Sequence, residues 1–499
     1  MLQKQFRHEV LIVGAGVSGI CLGARLKLAG IDFVVLERAT NLGGTWRDNT
    51  YPGCQVDVPS HKYSFAFALN ADWSHRCADQ PEILAYLVAT AKSTGVAPHI
   101  QYEAEVQSAD YDDASSTWLV STEEGDQYRA AVVVLATGPL HEPSVPDIPG
   151  LSSFIGQTFH SARWNHGFSL AGKQVAVIGT GASAVQLIPH VQRWISHLYV
   201  FQRTPPWILP RQDQAIAPLI RNSFRVIPGL MRTYRTLLYL QAEITTLGFS
   251  TFPRLLRIAE LAAKRFLHAE VADPHLREQL TPDYALGCKR ILRSDDFYSA
   301  ACKNNVEIIT GPISRVQGRF VYLSDETRRQ VDAIIFATGF RVSEAFRTFP
   351  VRGVNGRSLR DEWRCGASAY LGMSVSGFPN LFLMVGPNTG LGHNSLIFMI
   401  EAQARYISRA LARRLGFGAE PMTVRREIQL QFNTKLQRRL RRAVWSVGGC
   451  SSWYIDDDTG TNRALWPGST ITYWLHTRRV RWRDYELVPT ETSRRTDGR

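Results

Sequence analysis

The chain has 499 residues and a mass of 56.0 kDa, enough for two or three domains with sizeable cores. No apolar stretch free of charge reaches the roughly 18 residues of a spanning helix, and the first eight residues lack the apolar core of a signal peptide. The net charge of +13 comes without a nucleic-acid-binding motif, so we expect no nucleic acid partner. The seven cysteines include no CxxC pair, which disfavours a disulfide framework and a zinc site. We therefore expect no metal and a cytoplasmic location.

A glycine loop at residues 14–19 lies between an apolar strand predicted at 9–13 and a helix predicted at 20–29. Strand, turn and helix form the dinucleotide-binding fingerprint, whose glycines allow a tight turn and let backbone amides approach a pyrophosphate. Glu37 closes the next predicted strand, where an acidic residue can bind a ribose hydroxyl. The predicted contacts of this first loop are Gly14, Gly16, Ser18, Gly19 and Glu37.

A second glycine loop at residues 179–184 follows a strand predicted at 174–178. After the next predicted strand, Arg203 and Thr204 stand where the first unit has an acid. A guanidinium and a hydroxyl suit a ribose 2′-phosphate, which a carboxylate would repel. We therefore assign FAD to the first loop and NADP(H) to the second. The predicted NADP contacts are Gly179, Thr180, Gly181, Ser183, Ala184, Arg203 and Thr204.

The order of elements predicts an α/β protein with two Rossmann-like dinucleotide-binding domains, for FAD and NADP, and a helical insertion. Apolar strands end in Ala-Thr-Gly at residues 136–138 and again at 337–339, so the same strand ending occurs twice. We expect the NADP domain to be inserted into the FAD domain. The predicted segments are 1–145 (FAD domain, first segment), 146–207 (linker and NADP domain, first segment), 208–280 (helical insertion), 281–340 (NADP domain, second segment) and 341–499 (FAD domain, second segment, and C-terminal helices). Residues 490–499 have a composition typical of disorder.

Two further motifs carry a resemblance to a known family. Residues 154–165 contain Phe154, Gly156, His160 and Trp164 in a spacing similar to the FxGxxxHxxxW-[P/D] fingerprint of type I Baeyer–Villiger monooxygenases. Asn165 departs from that pattern at its last position. Residues 43–57 match each fixed position of a second family pattern, [A/G]GxWxxxx[F/Y]P[G/M]xxxD.

The resemblance implies an FAD-containing, NADPH-dependent enzyme in which a C4a-peroxyflavin formed with O2 inserts one oxygen beside a ketone carbonyl, giving an ester or lactone. It implies that Arg290 stabilises the peroxyflavin anion and that Asp57 positions Arg290. It also implies a conformational linker rather than a proton-transfer site at Phe154, Gly156, His160 and Trp164. The remaining FAD contacts that it implies are Gly44, Thr45, Trp46, Asp57 and Tyr63.

Two alternatives stay open at the level of sequence. The first is an N- or S-oxygenating flavin monooxygenase, although those relatives usually have Tyr or Phe where this chain has Trp164. The second is a membrane-peripheral flavoprotein without efficient oxygenation, because arginines interleave with leucines between residues 211 and 277 as in an interfacial helix. The sequence indicates neither the particular ketone nor an oligomeric state.

Overall fold

The computed structural model describes residues 4–344, 346, 348–414, 419–456 and 459–488. The disorder expected at 490–499 lies outside these residues. The strands, in chain order, are β1 Gln5–Val13, β2 Phe33–Leu36, β3 Ile100–Gln101, β4 Val106–Asp112, β5 Thr117–Thr122, β6 Gln127–Leu135, β7 Gln157–His160, β8 Gln174–Ile178, β9 His197–Phe201, β10 Ile208–Leu209, β11 Leu292–Arg293, β12 Val306–Ile309, β13 Ile313–Gln317, β14 Phe320–Leu323, β15 Arg328–Gln330, β16 Ala333–Phe336, β17 Val351–Arg352, β18 Leu381–Leu383, β19 Met422–Val424 and β20 Tyr485–Leu487.

The helices connect these strands and cover the sheets. In chain order they are α1 Val17–Leu28, α2 Thr45–Asp48, α3 Gln80–Ser93, α4 Ala182–Val191, α5 Pro218–Val226, α6 Leu230–Ser250, α7 Leu256–Glu270, α8 Pro274–Gln279, α9 Phe297–Ala301, α10 Leu359–Glu362, α11 Leu396–Arg414, α12 Arg426–Leu440, α13 Val444–Val447 and α14 Thr470–Thr477.

The first sheet has eight strands drawn from two distant stretches of the chain. β1 lies between β2 and β6 and runs parallel to both. After residue 350 the chain returns, because β17 pairs with β4 and β18 pairs with β6. The C-terminal halves of β1 and β6, residues 10–13 and 130–135, are apolar and buried, since helices and loops cover both faces of the parallel sheet there.

The second sheet has the strand order β12-β9-β8-β16-β7, and its paired strands are parallel. Its members come from residues 157–336, between the two stretches that build the first sheet. The antiparallel sheet β13-β14-β15 lies in the connection from β12 to β16. This architecture is the α/β fold with two Rossmann-like units that the sequence predicts.

Four helices, α5 to α8, follow β10 and precede β11. β10 and β11 pair in parallel, so a two-stranded ladder closes the base of this helical segment. No pattern in the sequence predicts β10, because a two-residue strand is too short to show a periodicity. In the part of the chain that the structure describes, no helix is long and apolar enough to cross a membrane.

The cysteine spacing disfavours a disulfide framework, but the structure contains a disulfide between one pair of distant cysteines. Cys288 and Cys450 are joined by a disulfide, with their Cα atoms 6.1 Å apart. The two residues are separated by 162 positions in the chain, so no local sequence motif could predict the pair. The bond ties the loop before Arg290 to the segment after α13.

Gly156 lies where the chain enters β7, the edge strand of the second sheet. The preceding amide, that of Ile155, donates to the carbonyl of Gly318 at 2.7 Å. A Cβ added at Gly156 would lie 2.5 Å from the carbonyl oxygen of Asp332 and 2.5 Å from the ring of Phe154. The glycine is therefore required by space rather than by backbone angle.

Substituting Gly156→Ala should lower the free energy of unfolding by about 1–3 kcal/mol, because the added methyl overpacks a backbone contact. The midpoint of thermal or denaturant unfolding measures the change. Gly311→Ala is the matched control, since its Cβ would lie 3.6 Å from Leu323, an ordinary contact distance. Equal midpoints for the two variants would contradict the packing argument.

Candidate functional site

The first glycine loop is held by close backbone approaches. Gly14 has a φ of +106°, and a Cβ there would lie 2.7 Å from the carbonyl oxygen of Ala136. A Cβ at Gly19 would lie 2.0 Å from the carbonyl oxygen of Gly14. Gly16 is the N-cap of α1, Ser18 is buried in its first turn, and no side chain caps this helix in the described structure. The first amides of α1 are therefore available to a phosphate.

Glu37 is buried next to this loop. Its carboxylate accepts hydrogen bonds from the backbone amides of Ala15 at 2.9 Å and Ala39 at 3.1 Å. Arg47 donates to the same carboxylate at 2.8 Å, a contact that the sequence did not indicate. The acid is thus fixed beside the loop, in the place where a ribose hydroxyl is expected.

The second glycine loop repeats this geometry. Gly179 has a φ of +107°, and a Cβ there would lie 2.5 Å from the carbonyl oxygen of Ala337. Gly181 is the N-cap of α4, and a Cβ at this position would meet no described atom within 4 Å. Ser183 and the fully buried Ala184 lie in the first turn of α4. The loop packs closely against the residues after β16 and is open on the side of the α4 N-terminus.

Arg203, Thr204 and Lys289 line a cavity of about 300 Å³ after β9. Lys289 Nζ donates to Thr204 Oγ1 at 2.6 Å, and Thr180 donates to the carbonyl of Thr204 at 3.1 Å. Burial, together with the charge of Arg203, lowers the pKa of Lys289. Two neighbouring cations favour an anion between them. Sequence reasoning missed Lys289, although it stands next to Arg290 in a motif already singled out.

Asp57 and Arg290, which lie 233 positions apart in the chain, form a bidentate ion pair. Arg290 Nε donates to Oδ2 at 2.8 Å and Nη2 donates to Oδ1 at 2.9 Å. Burial alone would raise the pKa of Asp57, but the charge and hydrogen bonds of Arg290 lower it. The charge of Asp57 in turn raises the pKa of Arg290. The guanidinium side chain nevertheless keeps 43% of its surface exposed, so it is fixed and accessible.

Aromatic side chains surround this pair. Trp46 Nε1 donates to the hydroxyl of Tyr63 at 3.0 Å, and the two rings meet edge to face. Burial raises the pKa of Tyr63 to about 12. Burial also raises the pKa of Tyr454 to about 12, against the opposing charge of Arg290. Tyr454 comes from the C-terminal part of the chain, and no sequence motif marked it as a site residue.

Residues 43–57, the second fingerprint, contact both dinucleotide-binding units. A Cβ at Gly44 would lie 3.1 Å from the Cα of Gly16, and Thr45 begins α2 directly after it. The hydroxyl of Tyr51 donates to Gln186 on α4 at 2.9 Å. The segment then ends at Asp57, so it spans from the first glycine loop to Arg290.

The residues of the first fingerprint lie along β7 and the short helical turn after it. Phe154 forms a bridge with Gly318, and Trp164 packs edge to face on Phe159 at 5.0 Å. His160 is buried at the end of β7, where its Nδ1 accepts the amide of Ala162 at 3.0 Å. Burial lowers the pKa of His160 to about 4. Asn165 Oδ1 accepts the amide of Gly167 at 3.1 Å, a local turn at the position where the family pattern fails.

Two glycine loops, each at the start of a helix, and a fixed arginine beside buried aromatics define an oxidoreductase with two dinucleotide cofactors. A family model described as pyridine nucleotide-disulphide oxidoreductase matches residues 11–245. A Baeyer-Villiger monooxygenase of Streptomyces coelicolor is 44% identical over 498 residues, covering 98% of this chain and 95% of its own. The closed crystal structure of cyclohexanone monooxygenase superposes with a TM-score of 0.86 at 26% identity, covering 98% of this chain and 100% of its own. A structure of OTEMO in complex with FAD and NADP has a TM-score of 0.84 at 25% identity, covering 96% and 99%.

The chain belongs to the Baeyer–Villiger monooxygenase family, which confirms the resemblance seen in the two fingerprints. The fold class and the cofactor pair, FAD and NADPH, are confirmed with it. The relatives do not favour the N- or S-oxygenating alternative or the flavoprotein without efficient oxygenation. The individual site residues stay predictions, supported by the geometry above.

Arg203→Ala and Lys289→Met should each raise the KM for NADPH about tenfold or more, because a charged hydrogen bond to the 2′-phosphate is lost. The KM for NADH should change far less, since NADH lacks that phosphate. Steady-state kinetics with both nucleotides measure the difference. Equal effects on NADPH and NADH would remove these cations from the 2′-phosphate site.

Proposed function

We propose that the protein oxidises a ketone to an ester or lactone in the cavity beside Asp57 and Arg290. The observation that carries the proposal is the ion pair itself, which fixes an accessible guanidinium next to buried aromatic side chains. That cavity has a volume of about 310 Å³ and is lined by Asp57 and Arg290 together with residues of α6 and α7. It is large enough for a small ketone.

The first glycine loop and Glu37 fit FAD, and the second loop with Arg203, Thr204 and Lys289 fits NADPH. Close backbone approaches leave no room for a Cβ at Gly14, Gly19 or Gly179, and no side chain caps the N-terminus of α1 or α4 in the described structure. When bound, reduced FAD activates O2 and NADPH supplies the reducing hydride. We assign the FAD domain to residues 1–145 and 341–499 and the NADP domain to 146–207 and 281–340. Residues 208–280 form the insertion that supplies α6 and α7 to the cavity.

Arg290 supplies a positive charge that does not depend on pH in the working range. Such a charge stabilises the negative charge that develops on oxygen as the carbonyl is attacked. Asp57 restricts the guanidinium to one orientation through its two hydrogen bonds. Trp46 and Tyr63 pack edge to face, and Tyr63 lies near Asp57 and Arg290, so we assign these rings to the apolar surroundings that disfavour water at the flavin.

We assign Phe154, Gly156, His160 and Trp164 to a conformational role between the two domains. Burial lowers the pKa of His160 to about 4 and its Nδ1 accepts a backbone amide, so the ring is neutral at neutral pH and held through Nδ1. A neutral, hydrogen-bonded histidine at the end of an edge strand suits the transmission of a backbone movement better than proton transfer. Trp164 and Phe159 pack that strand ending in place.

Arg290→Ala should lower the rate of ester formation about 10²–10³-fold, the effect of losing one preorganised charge contact. Reduction of FAD by NADPH, followed by flavin absorbance without O2, should fall much less. Arg360→Ala, an exposed arginine on α10, is the matched control. Ester yield that survives in Arg290→Ala would disprove its role.

We further propose that the helical insertion rests on an anionic membrane surface. Large apolar side chains are exposed along it at Leu237, Leu240, Ile244 and Leu247 of α6, a spacing of three and four residues that marks one helix face. The opposite face of α6 is buried through Tyr239 and Phe249, so these leucines and Ile244 lie on the exposed face of the helix. Leu219 on α5 and Ile258 on α7 are further exposed apolar side chains of the same helical insertion.

Charge favours an anionic lipid surface over a second copy of this chain. Residues 218–270 carry seven arginines and one lysine against three glutamates, a net charge of +5. A second copy would bring like charges together, whereas anionic headgroups would neutralise them. The cavity is lined by the inner faces of α6 and α7, so a membrane-bound insertion would place the site next to lipid-soluble ketones.

In a flotation gradient, wild-type protein should rise with vesicles of phosphatidylcholine and phosphatidylserine. With vesicles of phosphatidylcholine alone it should stay in the bottom fraction. The double variant Ile244→Ser and Ile258→Ser should lose most of this binding, because both side chains are more than 70% exposed. Leu28→Ser, an equally exposed leucine on α1, is the control. An absence of flotation together with a dimer in solution would assign the surface to a second copy instead.

A further inference from the structure

The cavity beside Asp57 and Arg290 has an excess of positive charge. Five cationic side chains line it: Lys62, Arg76, Arg211, Arg290 and Arg293. Asp57 is the one carboxylate among the lining residues that the structure describes, and Arg290 occupies both of its oxygens. The other four cations therefore face the cavity without an acidic partner in its wall.

Lys62 is the most enclosed of these cations, with 6% of its surface exposed. Its backbone is fixed, because its amide donates to Pro59 at 2.8 Å and its carbonyl accepts the hydroxyl of Tyr239 at 2.9 Å. Among the described residues, no carboxylate lies within ion-pair distance of its ammonium group. Burial, reinforced by the charge of Arg293, lowers the pKa of Lys62 to about 8. A buried ammonium of this kind is stabilised when an anion binds beside it.

Glu243, whose charge also acts on Lys62, already accepts hydrogen bonds from other residues. Its carboxylate accepts hydrogen bonds from Asn394 at 2.7 Å and from the hydroxyl of Thr470 at 2.5 Å. The charges of Glu243 and Asp57 both favour the protonated form of Lys62. The carboxylates of both acids, however, already accept hydrogen bonds from other residues. Neither acid therefore satisfies the ammonium hydrogens.

Arg293 stands at the end of β11, and its guanidinium makes one hydrogen bond to the residues that the structure describes. One guanidinium nitrogen donates to the carbonyl of Pro210 at 3.2 Å. Its charge acts on both Lys62 and Asp57, so the guanidinium lies near the ammonium and the ion pair. The planar guanidinium of Arg293 can donate two parallel hydrogen bonds, and the ammonium of Lys62 adds a compact positive charge. Together the two groups suit a carboxylate.

Part of the cavity wall is apolar, contributed by Leu238 and Phe249 of α6, Leu256 of α7 and Leu391. Polar side chains, among them Gln241 and Thr245 of α6, also belong to the lining. A bound molecule would therefore meet hydrocarbon on one part of the wall and cations on another. This combination selects an amphipathic ligand with a single anionic group.

We propose that Lys62 and Arg293 form an anion-binding subsite and that the substrate is a ketone carrying a carboxylate. The inference rests on the proposed function, because it specifies the substrate class of the same cavity. The phosphates of NADPH have other partners, since Arg203, Thr204 and Lys289 line a separate cavity and the second glycine loop lies at α4. The subsite is thus a specificity determinant for the ketone.

The test compares an aryl ketone that carries a ring carboxylate with its methyl ester, using the holoenzyme. Wild-type kcat/KM should favour the carboxylate over the ester by about tenfold or more, the effect of one charged hydrogen bond. Lys62→Met and Arg293→Leu should each reduce this ratio toward one, mainly through KM for the carboxylate. Lys92→Met, an exposed lysine on α3, is the matched control and should keep the wild-type ratio.

The KM for NADPH is measured in the same variants. A raised KM for NADPH with an unchanged carboxylate-to-ester ratio would overturn the inference, because the cations would then serve the cofactor. A ratio near one in the wild type, with ketones still oxidised, would also overturn it while leaving the proposed function intact. If neither ketone is oxidised, the proposed function fails. The subsite is then tested by the flavin absorbance, which the carboxylate should perturb more than the ester does. Lys62→Met should lose this difference.

Discussion

The ion pair between Asp57 and Arg290 is the constraint on which the site depends. It joins the end of the second fingerprint to the loop that follows the helical insertion, across 233 positions of sequence. An arginine with 43% of its side chain exposed would sample many rotamers without a partner. The bidentate carboxylate holds the guanidinium in one orientation, so under the proposed function its charge is in place before the reaction begins.

Several parts of the fold serve that placement. The segment 43–57 packs Gly44 against Gly16 at one end and binds α4 through Tyr51 in its middle, so Asp57 is positioned by both dinucleotide-binding units. The loop of Arg290 is tied to the C-terminal part of the chain by the disulfide between Cys288 and Cys450. A relative movement of the two units would therefore act directly on the ion pair. This link gives a physical reason why cofactor binding at the second loop could affect oxygen chemistry at the first.

Much of the fold could be predicted because buried parallel strands are continuous apolar runs. The strands at 174–178 and 306–309 begin and end where the sequence indicates. Both glycine loops also lie at helix starts, as their flanks require. The disulfide, Tyr454 and the two-residue strand β10 could not be predicted, since each depends on a contact between distant segments or is too short for a pattern. Lys289 could have been predicted from its motif. Lys62 lies nine residues after Gly53 of the fingerprint and could not have been predicted, because only the fold brings it to the cavity.

The most direct test of the account measures the fate of oxygen when the ion pair is broken. Wild type and Asp57→Asn are incubated with NADPH, a ketone and ¹⁸O2, and labelled ester and hydrogen peroxide are counted per NADPH consumed. We expect wild type to place one labelled oxygen in the ester for nearly every NADPH. In Asp57→Asn we expect NADPH oxidation to continue with most of the label diverted to hydrogen peroxide, because Arg290 is no longer fixed. An unchanged yield of labelled ester in Asp57→Asn would contradict the account.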